Sequence, residues 1–444
     1  MSTDLRAELA DAAARVPMRP APDDLWQRGV RRRRRVRTAR GAALAGGALA
    51  LALVAGVLPW PGDDGAPQPV DGPGGAGAIP SRLVTPPTRL EGTADHPIGP
   101  LAVIAGAERR GWWWGAGSSN GTVGVSATTG EYRFLDLPGS VEPEDAAFDA
   151  GDSPALSPDG RSVAYWARHA DDPGWVGGWA VYDTVTGDVV EHPVESDAGL
   201  DPRVLAWSSD DELVVGYGVV TERSPDTVAS SRSRTVLWDV FAPDAATPLP
   251  RPPADVSWVV PTSGGFTALS GRTLTVWEAG AVAPTLEVPV TGRRHAVEGT
   301  VSADLGALAM VEQSYDGSGA ERLLVGPVRR SGVVLAPLSV DLRVFHVLGW
   351  SDDTHVVVRA SPPGATQRTG AYAVDVGTGE HRLLVREDRL NWIGAPRYAT
   401  DLWSRPTVPR PEPDGPAPWW VYAGGASGLL LGAWGVRRWR RGRA

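Results

Sequence analysis

A short unit of turn and strand recurs along the middle of the chain, and this repetition restricts the fold more than any other feature. Its clearest copy is ALSPDGRSVAYWA at 155–167, followed by GWAVYDTVTGDVVEHPV at 178–194. The unit reads as a turn, a strand, a second strand, a Thr-Gly turn and a third strand. The string Ser157-Pro158-Asp159-Gly160 supplies the first turn, because proline fixes φ and glycine accepts positive φ.

Other copies follow the same order of elements. They lie at 205–217 with 234–244, 348–360 with 372–385, 300–312 with 321–328, 258–271 with 272–280 and, as a divergent first copy, 112–119 with 123–137. At the positions of Ser157 and Asp159, three of these copies hold Ser208 and Asp210, Ser302 and Asp304, and Ser351 and Asp353.

The spacing of these turns predicts the fold. Ser157 and Ser208 are 51 residues apart, Ser302 and Ser351 are 49 apart, and Ser208 and Ser302 are 94 apart, close to two periods. A period of about 45–50 residues with four short strands per unit is typical of a β-propeller. Residues 388–404 and the segment around Arg82 to Pro86 can supply closing strands. We therefore predict an all-β propeller of six or seven blades at 81–404, with its two ends close together.

The clearest copy also carries a family resemblance. The string LSPDGRSVAYWA with WAVYDTVTGDVV resembles the WD-repeat-like propeller repeat of the TolB type. The resemblance is good at 155–194, fair at 205–244 and 348–385, and weak elsewhere. The layout of the whole chain is similar to that of membrane-anchored propeller proteins of GC-rich bacteria. The resemblance implies an external propeller that serves as a binding platform.

Two uncharged apolar runs flank the repeats. Residues 41–60 and 419–436 are 20 and 18 residues long, which is near the length needed to span a hydrocarbon core of about 30 Å. The first run follows Arg31, Arg32, Arg33, Arg34 and Arg35, and the second precedes Arg437, Arg438, Arg440 and Arg441. Basic flanks stay in the cytoplasm, so we expect both chain ends inside a bacterial cell membrane and the propeller outside. A cleaved signal peptide and a buried soluble helix are the respective alternatives.

The remaining segments complete this layout. Residues 1–40 form a cytoplasmic segment and 437–444 a basic tail, while 61–80 and 405–418 are Pro-rich linkers. Gly424, Gly428 and Gly432 form a double GxxxG pattern, which lets helix backbones approach closely. The second span is therefore expected to pack on the first span or on a partner, unless the glycines reflect only a GC-rich genome.

Composition excludes several kinds of chemistry. The chain has no cysteine, which removes disulfides, thiol nucleophiles and Cys-ligated metals. It also has no lysine, which removes a GxxxxGK[ST] phosphate-binding loop. Its seven histidines show neither HExxH nor HxH spacing, and no GxSxG string occurs. The sequence thus predicts no catalytic residue, no cofactor and no metal.

The distribution of charge supports a tethered protein. The net charge of −9 combines basic ends with a middle region, 41–436, that carries about −20. We expect a non-catalytic binding platform for a protein, a peptide or a cell-wall glycan, with no role for nucleic acid because no recognition fold is evident. One alternative is a transmembrane sensor that signals through its N-terminal helix. Another is a propeller hydrolase or lyase, which would need carboxylates converging on the central face.

Overall fold

The computed structural model describes most of the region between the two predicted spans. The described residues are 77–94, 96–110, 118–141, 154–170, 172, 174–223, 228–231, 233–243, 246–249, 256–262, 265–278, 284–291, 296–312, 322–364, 368–388 and 392–409. Both predicted spans, the segment 1–40 and the tail 437–444 lie outside these residues, and so do the glycines and arginines named for them. Among the residues that are described, no helix is long and apolar enough to cross a membrane.

The described regular structure is all-β except for one 3₁₀ helix at Thr400–Ser404. Its strands are β1 (Arg82–Val84), β2 (Leu101–Arg110), β3 (Ser118–Ser126), β4 (Tyr132–Phe134), β5 (Ala155–Leu156), β6 (Ser162–Arg168), β7 (Val176–Asp183), β8 (Val189–Pro193), β9 (Leu200–Trp207), β10 (Glu212–Arg223), β11 (Val228–Ser230), β12 (Arg234–Asp239), β13 (Ala246–Pro248), β14 (Val256–Thr262), β15 (Gly265–Ser270), β16 (Thr273–Glu278), β17 (Leu286–Thr291), β18 (Ala296–Val301), β19 (Ala307–Glu312), β20 (Arg322–Arg329), β21 (Gly332–Val334), β22 (Ala336–Pro337), β23 (Arg343–Asp352), β24 (His355–Ser361), β25 (Arg368–Asp375), β26 (His381–Asp388) and β27 (Trp392–Tyr398).

Within the described residues these strands form antiparallel groups of four, which we call blades. In order they are blade 1 (β27–β2–β3–β4), blade 2 (β5–β6–β7–β8), blade 3 (β9–β10–β12–β13), blade 4 (β14–β15–β16–β17), blade 5 (β18–β19–β20–β22) and blade 6 (β23–β24–β25–β26). The first strands of successive blades touch one another, from β27 through β5, β9, β14, β18 and β23 to the 3₁₀ helix that follows β27. Four-stranded blades around a ring of inner strands define a β-propeller.

The apolar core lies between blades. Successive side chains of a strand point to opposite faces, and middle strands such as β6 and β7 are buried on successive residues, so both faces of a blade are covered. Trp179, Trp207 and Trp238 meet in the interface of blades 2 and 3, all of them buried. Two tryptophans also join neighbouring blades by hydrogen bonds, one at the end of the inner strand β9 and one in the 3₁₀ helix after β27. Trp207 Nε1 donates to the carbonyl of Ala155 at 3.1 Å, and Trp403 Nε1 donates to that of Leu348 at 3.3 Å.

Both ends of the domain close the ring, as the sequence predicts. β27 pairs with β2 and completes blade 1 from the C-terminal side, while β1 pairs in parallel with the outer strand of blade 6. The two ends then meet, since Ser81 N–H donates to Val408 O at 2.8 Å and Val408 N–H donates to Ile79 O at 3.1 Å. Ile79 is buried. The domain therefore includes 77–80 and 405–408, which composition assigns to linkers, because their few apolar residues find partners.

A buried ionic network lies where blades 6 and 1 meet. The carboxylate of Glu387 is 1% exposed and accepts from Arg359 Nη2 at 2.9 Å and Nε at 2.9 Å. The Tyr398 hydroxyl, on the inner strand of blade 1, donates to the same carboxylate at 3.2 Å. Burial and the negative charge of Glu387 raise the pKa of Tyr398 well above its usual value. The tyrosine therefore stays protonated and serves as a donor.

Candidate functional site

The predicted Ser-x-Asp pattern caps the turn after an inner strand. In blade 2, Ser157 is fully buried, and its hydroxyl donates to Asp159 Oδ1 at 2.7 Å and accepts from Ser162 N–H at 2.9 Å. In blade 5, Ser302 donates to Asp304 Oδ1 at 2.6 Å and accepts from Ala307 N–H at 2.9 Å. The motif thus satisfies a buried hydroxyl and fixes a tight turn.

The aspartates of these two turns complete the caps. Asp159 Oδ1 also accepts from Arg161 N–H at 2.9 Å, and Asp304 Oδ1 accepts from Gly306 N–H at 2.8 Å. Hydrogen bonds from Ser302 and Gly306 lower the pKa of Asp304. Between serine and strand, Gly160 adopts a φ of 78°, a left-handed conformation that glycine adopts freely.

In the turn of blade 6, the structure differs from the prediction at one residue. Asp352, and not Asp353, accepts the hydrogen bonds of the turn, from Thr354 N–H and His355 N–H at 2.9 Å each and from the Thr354 hydroxyl at 2.8 Å. The strand continues through Asp352, which pairs with His355, so the strand is longer and the hairpin turn is shorter than in blade 2, where the ladder ends at Leu156 and Val163. Burial raises the pKa of Asp352, but the hydrogen bonds from His355 and Thr354 outweigh it and bring the pKa to about 2.

Blade 3 departs from the pattern in a different way. Ser208 is buried, but its hydroxyl donates to the carbonyl and the carboxylate of Glu212, at 3.0 and 2.9 Å. The predicted partner Asp210 instead accepts the backbone N–H of Asp159, in the turn of blade 2, at 3.1 Å. The carboxylate of Asp210 is therefore directed across the junction between two blades.

A third aspartate joins these two from blade 1. The 3₁₀ helix at Thr400–Ser404 takes the place of the corresponding turn there, and Asp401 N–H donates to the Pro158 carbonyl at 3.1 Å. Asp159, Asp210 and Asp401 therefore come together from three successive blades, at the ends of inner strands. We call this set the Asp cluster, and the end of the propeller that carries the turns 157–161 and 208–211 the turn face.

Mutual repulsion is evident in the electrostatics of the Asp cluster. Although Asp210 as a residue is exposed, partial desolvation of its carboxylate, followed by the negative charges of Asp159 and Asp401, raises the pKa of Asp210 to about 6. Desolvation and the charge of Asp159 likewise raise the pKa of Asp401, against the opposing effect of Arg405. A site with these properties attracts a cation, because a bound positive charge would relieve the repulsion.

Asp401 of the Asp cluster and Asp352 of the blade 6 turn are not predicted from the sequence. Asp401 lies in the closing segment, where the only repeat signal is the pair Trp403-Ser404, which matches Trp207-Ser208 and Trp350-Ser351. Asp352 is hidden by its neighbour Asp353. In the part of the chain that the structure describes, no group of three His, Cys, Asp or Glu side chains is arranged to hold a metal ion.

The chain was compared with known proteins in three ways. No family model matches it, and no curated protein matches it. It is similar in structure to TolB from Acinetobacter baumannii, with 15% identity, 67% of each chain covered and a TM-score of 0.39. It is also similar to the β-propeller domain of the Trilobed protease from Pyrococcus furiosus, with 15% identity, 68% of this chain and 93% of that chain covered and a TM-score of 0.37. A third similar structure is an oligogalacturonate lyase from Vibrio parahaemolyticus, with 13% identity, 60% of this chain and 71% of that chain covered and a TM-score of 0.39.

Proposed function

We propose that this chain is a membrane-tethered, non-catalytic binding platform whose six-bladed propeller lies outside the cell. Its turn face would take up a cationic segment of a protein or peptide. The observation that carries this proposal is the carboxylate of Asp210, which leaves its own turn to join Asp159 and Asp401. A cationic peptide fits this site better than a neutral glycan does, because the site is defined by charge.

Two features of the fold support the tether and the blade number. The two ends of the described domain lie side by side, as the bond from Ser81 N–H to Val408 O requires. Two neighbouring membrane helices can hold such a domain through the predicted linkers. The closed ring of inner strands supports six blades, because the segment after β27 contacts β23.

The same cluster offers a second candidate, a hydrolase or lyase. Acid–base catalysis uses a carboxyl group that titrates near the working pH, and the pKa of Asp210, about 6, is suited to this. Asp210 and Asp401 are however exposed residues at turns, while catalytic carboxylates usually work where water is excluded. Release of soluble product from a cell-wall polysaccharide by the native protein, but not by Asp210→Asn, would replace the platform with this candidate.

Binding of a simple cationic probe tests the platform. We expect full-length protein in detergent to bind a labelled octapeptide of alternating arginine and glycine. Replacing all three carboxylates with amides, as Asp159→Asn, Asp210→Asn and Asp401→Asn together, should weaken binding about tenfold, since partly exposed charge pairs contribute about 0.5 kcal/mol each. Binding by the native protein should strengthen as the pH rises from 5 to 7, because Asp210 gains its charge near pH 6. Fluorescence anisotropy measures both effects.

A matched variant controls for net charge. Glu195→Gln, Asp197→Asn and Glu222→Gln together remove the same charge from exposed residues. They lie at the opposite end of the blades, since Glu222 is near the far end of β10 and Ser196 O contacts His169 between β6 and β7. This control should bind the peptide as the native protein does. Equal weakening in both triple variants, or none in the first, would contradict the proposed site.

A further inference from the structure

A second turn on blade 3 also departs from the repeat. Three blades join their last two strands by a turn that begins with aspartate, at Asp183, Asp239 and Asp375. In each turn the carboxylate accepts the backbone N–H two residues later, at 2.7 Å in blade 2, 2.8 Å in blade 3 and 2.9 Å in blade 6. The three turns therefore share this aspartate cap. Where blade 3 departs from the other two, the cap does not require the departure.

Blade 3 differs first at the end of this turn. Blades 2 and 6 have glycine there, with φ near 80°, and its N–H closes the turn. Blade 3 has Pro243, which has no N–H to donate. Its carbonyl instead accepts His192 Nδ1 at 2.8 Å and Trp238 Nε1 at 3.0 Å. Trp238 is fully buried, and His192 stacks on the buried Trp179 with ring centroids 4.5 Å apart. Hydrogen bonds from these core side chains therefore fix the turn.

Blade 3 differs again at the tip. Phe241 stands where blade 2 has Val185 and blade 6 has Gly377. Its side chain is 80% exposed, against 38% for Val185, and it is the most exposed large apolar side chain among the described residues. The chain has only five phenylalanines. On this hydrogen-bonded turn, Phe241 contributes nothing to the core. A partner protein can bury its ring, because aromatic side chains are frequent anchors of interfaces.

The Phe241 turn lies beside the Asp210 turn. Val240 N–H donates to the carbonyl of Asp211 at 2.9 Å, so both departures of blade 3 are on the turn face. The charged side chains within these two turns, Asp210, Asp211 and Asp239, are all acidic. A partner that covers Phe241 should therefore carry positive charge.

We propose that Phe241 is the anchor of a protein-docking surface on blade 3, and that it inserts into an apolar pocket of a partner whose rim carries arginine or lysine. The proposal deepens the proposed function and rests on it, since it uses the same face. The acidic residues would select the partner by charge, and Phe241 would add apolar contact that charge alone does not provide. Hydrogen bonds to the Pro243 carbonyl and to the Asp239 carboxylate fix the turn that carries Phe241 before a partner binds.

Two peptides separate the anchor from the charge. One is the arginine-glycine octapeptide, and the other is the same peptide with leucine in place of glycine. We expect the leucine peptide to bind the native full-length protein about tenfold tighter than the glycine peptide, because leucine side chains can bury Phe241. Phe241→Ala should remove this gain and leave binding of the glycine peptide unchanged. Val185→Ala, at the matching position of blade 2, should keep the gain.

The outcomes distinguish the two proposals. If the glycine peptide binds through the Asp cluster but Phe241→Ala keeps the leucine gain, the anchor is wrong and the platform stands. If the glycine peptide does not bind at all, the platform itself is wrong. Sedimentation of the full-length protein tests one other occupant: a dimer that Phe241→Ala dissociates would assign this surface to a second copy of the chain and overturn the proposed partner.

Discussion

Replacing Gly160 by alanine should destabilise the folded domain by about 3 kcal/mol, the sum of left-handed strain and overpacking. Gly160 is buried and has a φ of 78°. A Cβ atom there would lie 2.0 Å from the backbone carbonyl oxygen of Leu101. This carbonyl cannot move freely, because Leu101 N–H donates to Gly160 O at 2.7 Å and so joins blade 1 to blade 2. The substitution should therefore loosen a junction between blades as well as one turn.

Thermal and denaturant unfolding of the full-length variant measure this loss. Gly364→Ala is the matched control, since Gly364 has a similar φ of 73° but nothing within 4 Å of the position of a Cβ atom. It should cost only about 1 kcal/mol, from backbone strain alone. Equal costs for the two variants would mean that the close approach of blades 1 and 2 at Gly160 is wrong.

Replacing Glu387 by alanine should also cost about 3 kcal/mol, the lower part of the range for breaking a buried ion pair. The carboxylate is almost fully buried, while the side chain of Arg359 retains 20% exposure. Without Glu387, the Arg359 guanidinium loses its anionic partner and the buried Tyr398 hydroxyl loses its acceptor. Because Tyr398 belongs to blade 1 and the other two to blade 6, the loss should open the ring where its ends meet.

A double variant tests whether the cost arises from the unpaired charge. Arg359→Met with Glu387→Leu removes both charges, and apolar replacements of this kind are often nearly neutral. We expect the double variant to be more stable than Glu387→Ala in denaturant unfolding. If the double variant loses more stability than the single one, the network contributes net attraction, and the explanation by an unpaired charge is wrong.

The repeat made much of the fold predictable. The strings at 155–167 and 178–194 encode turns and short apolar strands locally, and these local signals place β6 to β8 where the structure has them. The closing strands were predictable too, because a propeller must pair its first and last blades. The buried Glu387 was not, since an isolated acid in an outer strand gives no sign of its distant partner Arg359.

The candidate site was predictable only in its parts. Asp159 and Asp210 stand in recognisable turns, but they are 51 residues apart in the sequence, and their contact exists only once two blades pack together. Asp401 comes from the far end of the chain and arrives by ring closure. The exchange of Asp352 for Asp353 depends on one residue of hairpin register, which alternation alone does not fix. Phe241 reads as a strand residue until its turn is compared with those of the other blades.

The position of the bound peptide tests the central claim, that the turn face of blade 3 is the binding face. The chain has no cysteine, so Ser209→Cys places one fluorophore beside Asp210, and Asp197→Cys places one at the opposite end of the blades. Fluorescence of each labelled full-length protein is followed as the arginine-leucine octapeptide is added. We predict a saturating change at position 209 and none at position 197. An equal change at both positions, or a change at 197 alone, would contradict the account.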